Sequence, residues 1–263
     1  MPHAHAPDGA RIYYEVEGDG HGDGDGDGEP LLLTPGYAST SVMWKGQLAA
    51  LGPRRQIIAW DMRGHGRSDS PSDPSAYSLE ACVEDMVAVL NAANAPKAIL
   101  GGLSLGGYVS LAFWLAHPER VSALVLVDTG PGFKQDAARE KWNRGVAKVA
   151  KRLENQGLAY LDGLGDEVSG AEHVSAEGLL LAAQGILAQR DARVIRCLPD
   201  IDIPTLIVVG ENDRPYHAAT DYMTQKIRGA RKAVIPDAGH AVNLHQPALF
   251  DGVLAAFLDE IGA

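Results

Sequence analysis

The chain has 263 residues, of which 46% are hydrophobic and 22% charged, enough to bury the core of one domain, although the length also allows two small ones. Its net charge of −11 disfavours a nucleic-acid binder, which needs a basic surface. No apolar run approaches the ~18 residues that a membrane span requires, and no secretory signal is visible at the amino terminus. Two cysteines are too few for a disulfide framework, so we expect a cytoplasmic protein.

The first predicted element is a strand over 11–17, where aromatic and β-branched residues alternate with polar ones. The segment 18–28 that follows alternates glycine with aspartate. It has neither the helical flanks of a calcium-binding loop nor the repeated apolar position of a calcium-binding repeat. We therefore interpret it as a solvated hairpin connection and not as a metal site.

From residue 31 onward, strands and helices alternate, which predicts an α/β fold with a mostly parallel sheet covered by helices on both faces. The predicted strands are 31–33, 56–60, 97–102, 121–127, 205–209 and 232–235, and the predicted helices between them are 78–93, 105–117, 217–227 and 247–261.

Only helices are predicted between 133 and 198, chiefly 137–155 and 176–189. This block leaves and re-enters the sheet at the carboxyl ends of strands, where open α/β sheets bind ligands. We therefore expect an inserted helical cap over 133–198 and a core domain over 1–132 and 199–263. The alternative is a set of additional covering helices.

The strongest chemical signal is the segment Gly102-Leu103-Ser104-Leu105-Gly106-Gly107, which follows a predicted strand and opens a predicted helix. A nucleophile held in a sharp strand-to-helix turn needs small neighbours, and glycines two residues before and two after Ser104 provide them. The pattern therefore predicts Ser104 as a nucleophile. The alternative is a helix-capping serine in a glycine-rich turn.

A serine hydroxyl needs a base, and the motif predicts a histidine later in the chain. Of the candidates His173, His217, His240 and His245, we favour His240, because it lies in a loop directly after the last predicted strand. We expect His173 in the helical block, His217 at the start of a helix, and His245 as a surface or cap residue.

A carboxylate must orient the base, and Asp213 follows a strand and gives the chain order Ser, Asp, His. Two rivals exist. Asp128 follows the preceding strand and could reach the same imidazole, or else stabilise the turn into the cap. Glu211 is close in sequence but is expected to point elsewhere.

An oxyanion needs backbone N–H donors. We expect one from Leu105, the residue after the nucleophile, and one from Tyr37 in the loop 34–39. Gly36 lets that backbone turn inward, and Pro35 is excluded as a donor because it has no N–H. Tyr37 could also line the pocket.

With these motifs, the chain resembles the α/β-hydrolase fold superfamily, and Asp61-Met62-Arg63-Gly64-His65-Gly66-Arg67-Ser68 is similar to its Asp-x-Arg-Gly-x-Gly-x-Ser turn. The resemblance is to the small capped esterases, enol-lactonases and cofactor-free haloperoxidases. It implies that the cap sets substrate choice and that His65 is structural. Family members usually have His-Gly where this chain has Pro35-Gly36, so a side chain that braces the loop is missing.

These residues favour a serine hydrolase that cleaves a small ester or lactone through an acyl-enzyme, with no metal or organic cofactor. Alternatives are a carbon–carbon bond hydrolase or an acyl-transfer or lyase enzyme with the same triad, and a non-catalytic binding module. We interpret the apolar residues of the predicted cap as packing residues more than substrate contacts. They are Trp142, Leu153, Leu158, Leu161, Leu180 and Ile186.

Overall fold

The structure is a computed structural model that describes residues 2–18 and 28–262. The predicted glycine–aspartate connection lies outside the described residues except for its two ends. The strands are β1 His3–His5, β2 Arg11–Glu17, β3 Leu31–Thr34, β4 Ile57–Trp60, β5 Ala98–Leu103, β6 Val121–Val127, β7 Thr205–Gly210 and β8 Arg231–Ile235.

These strands form one sheet in the order β1-β2-β4-β3-β5-β6-β7-β8. The pairs β1–β2 and β2–β4 are antiparallel, and the remaining pairs are parallel, which confirms the predicted mostly parallel α/β fold. The strand order changes direction between β3 and β5. Such a switch point opens a crevice at the carboxyl ends of the strands, and ligands bind there in open α/β sheets.

Helices cover both faces of the sheet. They are α1 Lys45–Leu51, α2 Leu79–Ala92, α3 Leu105–Ala116, α4 Asp136–Gln156, α5 Ala176–Ala182, α6 Arg193–Cys197, α7 Arg214–Lys226, α8 Val242–His245 and α9 Pro247–Glu260. One core cluster lies between the sheet and α2 and α3, and a second lies between the sheet and α1 and α9. Trp44 is fully buried against Phe250 in the second cluster, so it packs beneath the sheet edge and does not face a pocket.

Between β6 and β7 the chain is helical, as predicted, but the second predicted helix ends early. Instead of running to Gln189, α5 passes into a π-helical turn over Ala183–Leu187. Gly185 in this turn lies against the backbone of Tyr77, where any side chain would overlap. This close approach favours the widened turn.

Two helix starts also differ from the prediction. Helix α7 begins at Arg214, with Pro215 in its first turn, so His217 lies inside the helix and does not begin it. His245 ends the short helix α8 and does not start the last helix. In the described part of the chain, no helix combines the length and apolar character that crossing a membrane requires.

Candidate active site

Polar side chains follow four neighbouring parallel strands at the point where each strand ends. Ser104 follows β5, Asp128 follows β6, Asp213 lies three residues after β7, and His240 lies five residues after β8. Because these strands are parallel and adjacent, their carboxyl ends meet at one edge of the sheet. Residues that are up to 136 positions apart in the chain therefore share one region.

Ser104 occupies the strained turn that its sequence predicts. Its φ of 54° and ψ of −116° lie in a region that L-residues rarely adopt. The turn closes tightly, because a side chain at Gly102 would overlap the backbone of Gly106, and one at Gly107 would meet the Thr129 side chain. The Ser104 N–H donates to the Val127 carbonyl at 2.9 Å, which anchors the turn to β6.

His240 and Asp213 form a direct pair: the His240 Nδ1–H donates to Asp213 Oδ2 at 2.7 Å. Gly210 makes the approach of the two loops possible, since a side chain there would overlap the carbonyls of Ala238 and Gly239. Burial lowers the pKa of His240, but the hydrogen bond and the negative charge of Asp213 outweigh it and leave the pKa raised. The charged imidazolium is thus favoured at this position.

The two rival carboxylates have other partners. Asp128 is fully buried, and its Oδ1 accepts the Gly210 N–H at 2.8 Å. Burial raises the pKa of Asp128, and the neighbouring Asp213 charge adds to the increase. The Glu211 carboxylate accepts the Asp237 N–H at 3.1 Å. Of the three, Asp213 is the one that contacts the imidazole Nδ1.

Tyr216, which the sequence analysis did not select, connects Ser104 with His240. Its ring stacks on the His240 ring with centroids 4.8 Å apart. Burial raises the pKa of Tyr216, and a hydrogen bond with the Ser104 side chain opposes that increase. Across residues 2–18 and 28–262, Ser104 and His240 make no direct hydrogen bond. The position of Tyr216, three residues after Asp213 and in the first turn of α7, is the sequence signal that could have identified this residue.

The loop 34–39 after β3 lies beside the Ser104 turn. A Cβ at Gly36 would be 3.6 Å from the Ser104 Cβ, within van der Waals contact, so the two backbones run side by side. Tyr37 does not extend freely into solvent, because its hydroxyl donates to the Leu179 carbonyl at 2.8 Å. Leu105 is the first residue of α3, and its N–H therefore has no acceptor within the helix.

His173 connects the helical segment to this loop. Its Nε2–H donates to the Ala38 carbonyl at 2.9 Å, and its Nδ1 accepts the Gly66 N–H at 3.0 Å. Only the neutral imidazole can make both bonds, and burial lowers the pKa of His173 accordingly. Ala38 has a φ of 58°, so the bond holds a backbone conformation that alanine does not favour. His173 thus supports the loop 34–39, in which this chain has Pro35 at the position where family members usually have a histidine.

The other histidines considered from the sequence, His65, His217 and His245, have structural partners. His65 is buried, its Nδ1 lies 3.1 Å from the Arg63 carbonyl, and burial lowers its pKa to about 3. His217 Nε2 pairs with the Glu211 carbonyl at 3.0 Å. His245 accepts the Gly239 N–H at 2.9 Å and pairs with Asp166.

A cavity of about 220 Å³ opens beside Ser104. Its wall combines the Gly130–Phe133 segment after β6, Trp142 of α4, Leu187 and Gln189, and Tyr216 of α7. Among the apolar cap residues predicted from the sequence, Trp142 reaches this cavity. Leu153 and Ile186 are buried in the core clusters, and Leu158, Leu161 and Leu180 pack against those clusters.

A sheet with this topology, a strained serine turn after its central strand and a paired imidazole at the same edge together define an α/β-hydrolase. The family model for the alpha/beta hydrolase family matches residues 31–252, and the chain belongs to that family. It is an enzyme of the hydrolase class, as predicted.

Individual relatives span nearly the same length. The chain is 29% identical to 3-oxoadipate enol-lactonase 1 of Acinetobacter baylyi, over 83% of this chain and 84% of that protein. It is 28% identical, over 89% of this chain and 91% of the relative, to a Bacillus subtilis protein provisionally named 2-succinyl-6-hydroxy-2,4-cyclohexadiene-1-carboxylate synthase. Its fold superposes on a malate-bound thermophilic esterase from Thermogutta terrifontis with a TM-score of 0.83 and 26% identity, covering 100% and 99% of the two chains.

Proposed function

We propose that this protein is a serine hydrolase that cleaves a small carboxylic ester or lactone through an acyl-enzyme. The observation that carries the proposal is the 2.7 Å pair of His240 and Asp213 at the sheet edge where the strained Ser104 turn opens onto a cavity. A base that is oriented by a carboxylate, near an accessible serine, is the arrangement that activates a hydroxyl for acyl transfer.

In the proposed reaction, Ser104 Oγ attacks the substrate carbonyl while His240 Nε2 accepts its proton. Asp213 holds the Nδ1–H tautomer and stabilises the imidazolium that forms. The backbone N–H groups of Tyr37 and Leu105 donate to the oxyanion. The imidazolium then protonates the leaving alkoxide, and a water activated by His240 releases the acyl group and restores Ser104.

Ser104 and Tyr216 line the same cavity, and the Tyr216 ring stacks on the His240 ring. The proposed mechanism requires a Ser104 side-chain conformation in which Oγ is within hydrogen-bond distance of His240 Nε2. Apo structures often lack the catalytic hydrogen bond that forms once substrate binds.

We propose that residues 133–198 act as the cap and the rest of the chain as the core domain. Two contacts support this division. Leu179 of the helical segment accepts the Tyr37 hydroxyl, and His173 holds the Ala38 carbonyl. Trp142 and Leu187 form part of the cavity wall, so the cap contributes to substrate choice. The substrate is a small molecule, and the proposed mechanism uses no metal or organic cofactor.

The test is covalent labelling of Ser104 together with turnover of simple esters. A fluorophosphonate is expected to modify Ser104 of the wild type, and Ser104→Ala is expected to lower kcat by a factor on the order of 10⁴ or more without changing Tm. Ser169→Ala, at an exposed serine, is the matched control. Full turnover by Ser104→Ala would contradict the proposal, and wild-type protein that neither reacts with the label nor hydrolyses esters would indicate a binding module.

A second candidate, a carbon–carbon bond hydrolase or an acyl-transfer or lyase enzyme with the same triad, is favoured by the synthase name of the Bacillus subtilis relative. A panel of p-nitrophenyl esters, lactones and vinylogous diketones separates the two. The ester or lactone proposal requires the highest kcat/KM on an ester or lactone.

A further inference from the structure

The wall of the Ser104 cavity contains one buried amide whose hydrogen bonds are incomplete. Gln189 is 8% exposed, and its Oε1 has no hydrogen-bond partner among the described residues. Its backbone is held firmly: the Gln189 N–H donates to Asn143 Oδ1 at 2.9 Å, and Asn143 Nδ2 donates to the Gln189 carbonyl at 2.8 Å. The backbone of Gln189 is therefore fixed, and Gln189 forms part of the cavity wall.

The surrounding structure makes room for this amide. A Cβ at Gly132 would lie 2.8 Å from Gln189 Oε1, and Gly132 has a φ of 87°, where glycine is favoured. Gly132 thus allows the loop after β6 to pass close to the amide. Binding of a purely apolar substrate would not require a glutamine here, because a buried amide without hydrogen-bond partners lowers the stability of the fold.

The other residues of the cavity wall limit which substrate groups could form hydrogen bonds with the Gln189 amide. Beside Gln189 the wall is largely apolar, with Phe133, Trp142 and Leu187 among its members, and none of its side chains is charged. A carboxylate or an ammonium on the substrate would lose its hydration here without a counter-ion. The partner is therefore neutral and polar. A hydroxyl fits best, because it donates to Oε1 and also accepts from the amide Nε2–H.

We propose that Gln189 binds substrate and that the preferred substrates are esters or lactones whose acyl chain carries a neutral hydroxyl group distant from the reacting carbonyl. The inference rests on the proposed function, since it takes the acyl group on Ser104 to fill this cavity. Gln189 selects the substrate by hydrogen bonding and takes no part in the proton transfers.

The test compares two series of methyl esters, from 3-hydroxypropanoate to 7-hydroxyheptanoate and the alkanoates with equal numbers of heavy atoms. At one chain length, the wild type is expected to show about tenfold higher kcat/KM on the hydroxy ester, because an unsatisfied buried amide penalises the alkyl analogue. In Gln189→Leu, this preference is expected to invert. Gln184→Leu, at an exposed glutamine of the same helical segment, serves as the control and keeps the wild-type preference.

A second variant distinguishes binding from a structural role. Gln189→Asn keeps the amide but shortens the side chain by one methylene, so the preferred hydroxy ester is expected to become one carbon longer. A general loss of stability would lower all rates without moving this optimum. Equal or better turnover of the alkanoates by the wild type at every length would overturn the inference and leave the serine hydrolase intact. A complete lack of Ser104-dependent hydrolysis would overturn both.

Discussion

The buried carboxyl of Asp128 leads to a prediction that distinguishes the role of Asp128 from that of Asp213. Asp128 lies close enough to Asp213 and His240 to interact with both, and its Oδ1 accepts the Gly210 N–H while its Oδ2 has no hydrogen-bond partner among the described residues. Burial raises its pKa to about 8, and the Asp213 charge acts in the same direction, so Asp128 is protonated in the folded state at neutral pH. An asparagine reproduces this neutral form. Its oxygen can accept from Gly210, and its amide can donate to Asp213.

The size of the effect follows from proton linkage. In the unfolded chain the pKa of an aspartate is about 3.9, so the folded state binds more protons than the unfolded state between about pH 4 and pH 8. The free energy of unfolding therefore falls as pH rises through this window, by about 1.4 kcal/mol per pH unit. Asp128→Asn removes this term. Its stability relative to the wild type is expected to increase by about 4 kcal/mol between pH 5 and pH 8.

The assay is thermal or urea denaturation of both proteins across this pH range, with Asp202→Asn, at an exposed aspartate, as control. At roughly 2 °C per kcal/mol for a chain of this size, the Tm gap should widen by about 8 °C. Because Asp213 still orients His240, kcat at pH 7 should remain within a few-fold of the wild type. A variant that is less stable at pH 8, or that loses most of its kcat, would show that Asp128 acts as an ionised member of the triad.

Three further predictions concern activity and the fold. Because the pKa of His240 is raised, kcat/KM should rise with pH through a midpoint above 6.5, and a midpoint below 6.5 would contradict the pairing of His240 with Asp213. Asp213→Asn should lower kcat by a factor of about 10⁴. His173→Ala should lower kcat about tenfold with little change in KM, and His173→Gln should restore part of it by donating to the same carbonyl, whereas equal kcat values would exclude a positioning role. Gly102→Ala should destabilise by about 3 kcal/mol in urea denaturation, because its methyl group overlaps backbone, while Gly145→Ala has open space and serves as control.

The sequence predicted those parts of the molecule that depend on local chemistry. Strand β6 and helix α2 have nearly the predicted bounds, and Ser78 caps α2 by accepting the Ala81 N–H at 3.0 Å. The turn around Ser104 was predictable because local steric contacts require glycines on both sides of the serine. The mostly parallel character of the sheet followed from the alternation of elements, since parallel strands need crossover connections.

The missed features depend on contacts between distant segments. The bond from His173 to Ala38 joins residues 135 positions apart, and no local pattern identifies it. The unpaired amide of Gln189 likewise exists only because Gly132 and the helical segment meet. The π-turn that ended the predicted helix before Gln189 lies where Gly185 contacts the backbone of Tyr77, a long-range contact that helical periodicity does not indicate.

The connection between β2 and β3 begins and ends far from the edge of the sheet at which Ser104 and His240 lie. Glu17 and Leu31 both pair with Ile57, the first residue of β4, and Gly18 packs against the backbone of Gly52 and Arg55. These anchor points lie at the amino ends of the parallel strands, whereas Ser104 and His240 lie beyond the carboxyl ends. An affinity handle or a surface linker inserted between these anchors would leave the entrance to the Ser104 cavity unobstructed, so immobilised enzyme attached there should keep its turnover.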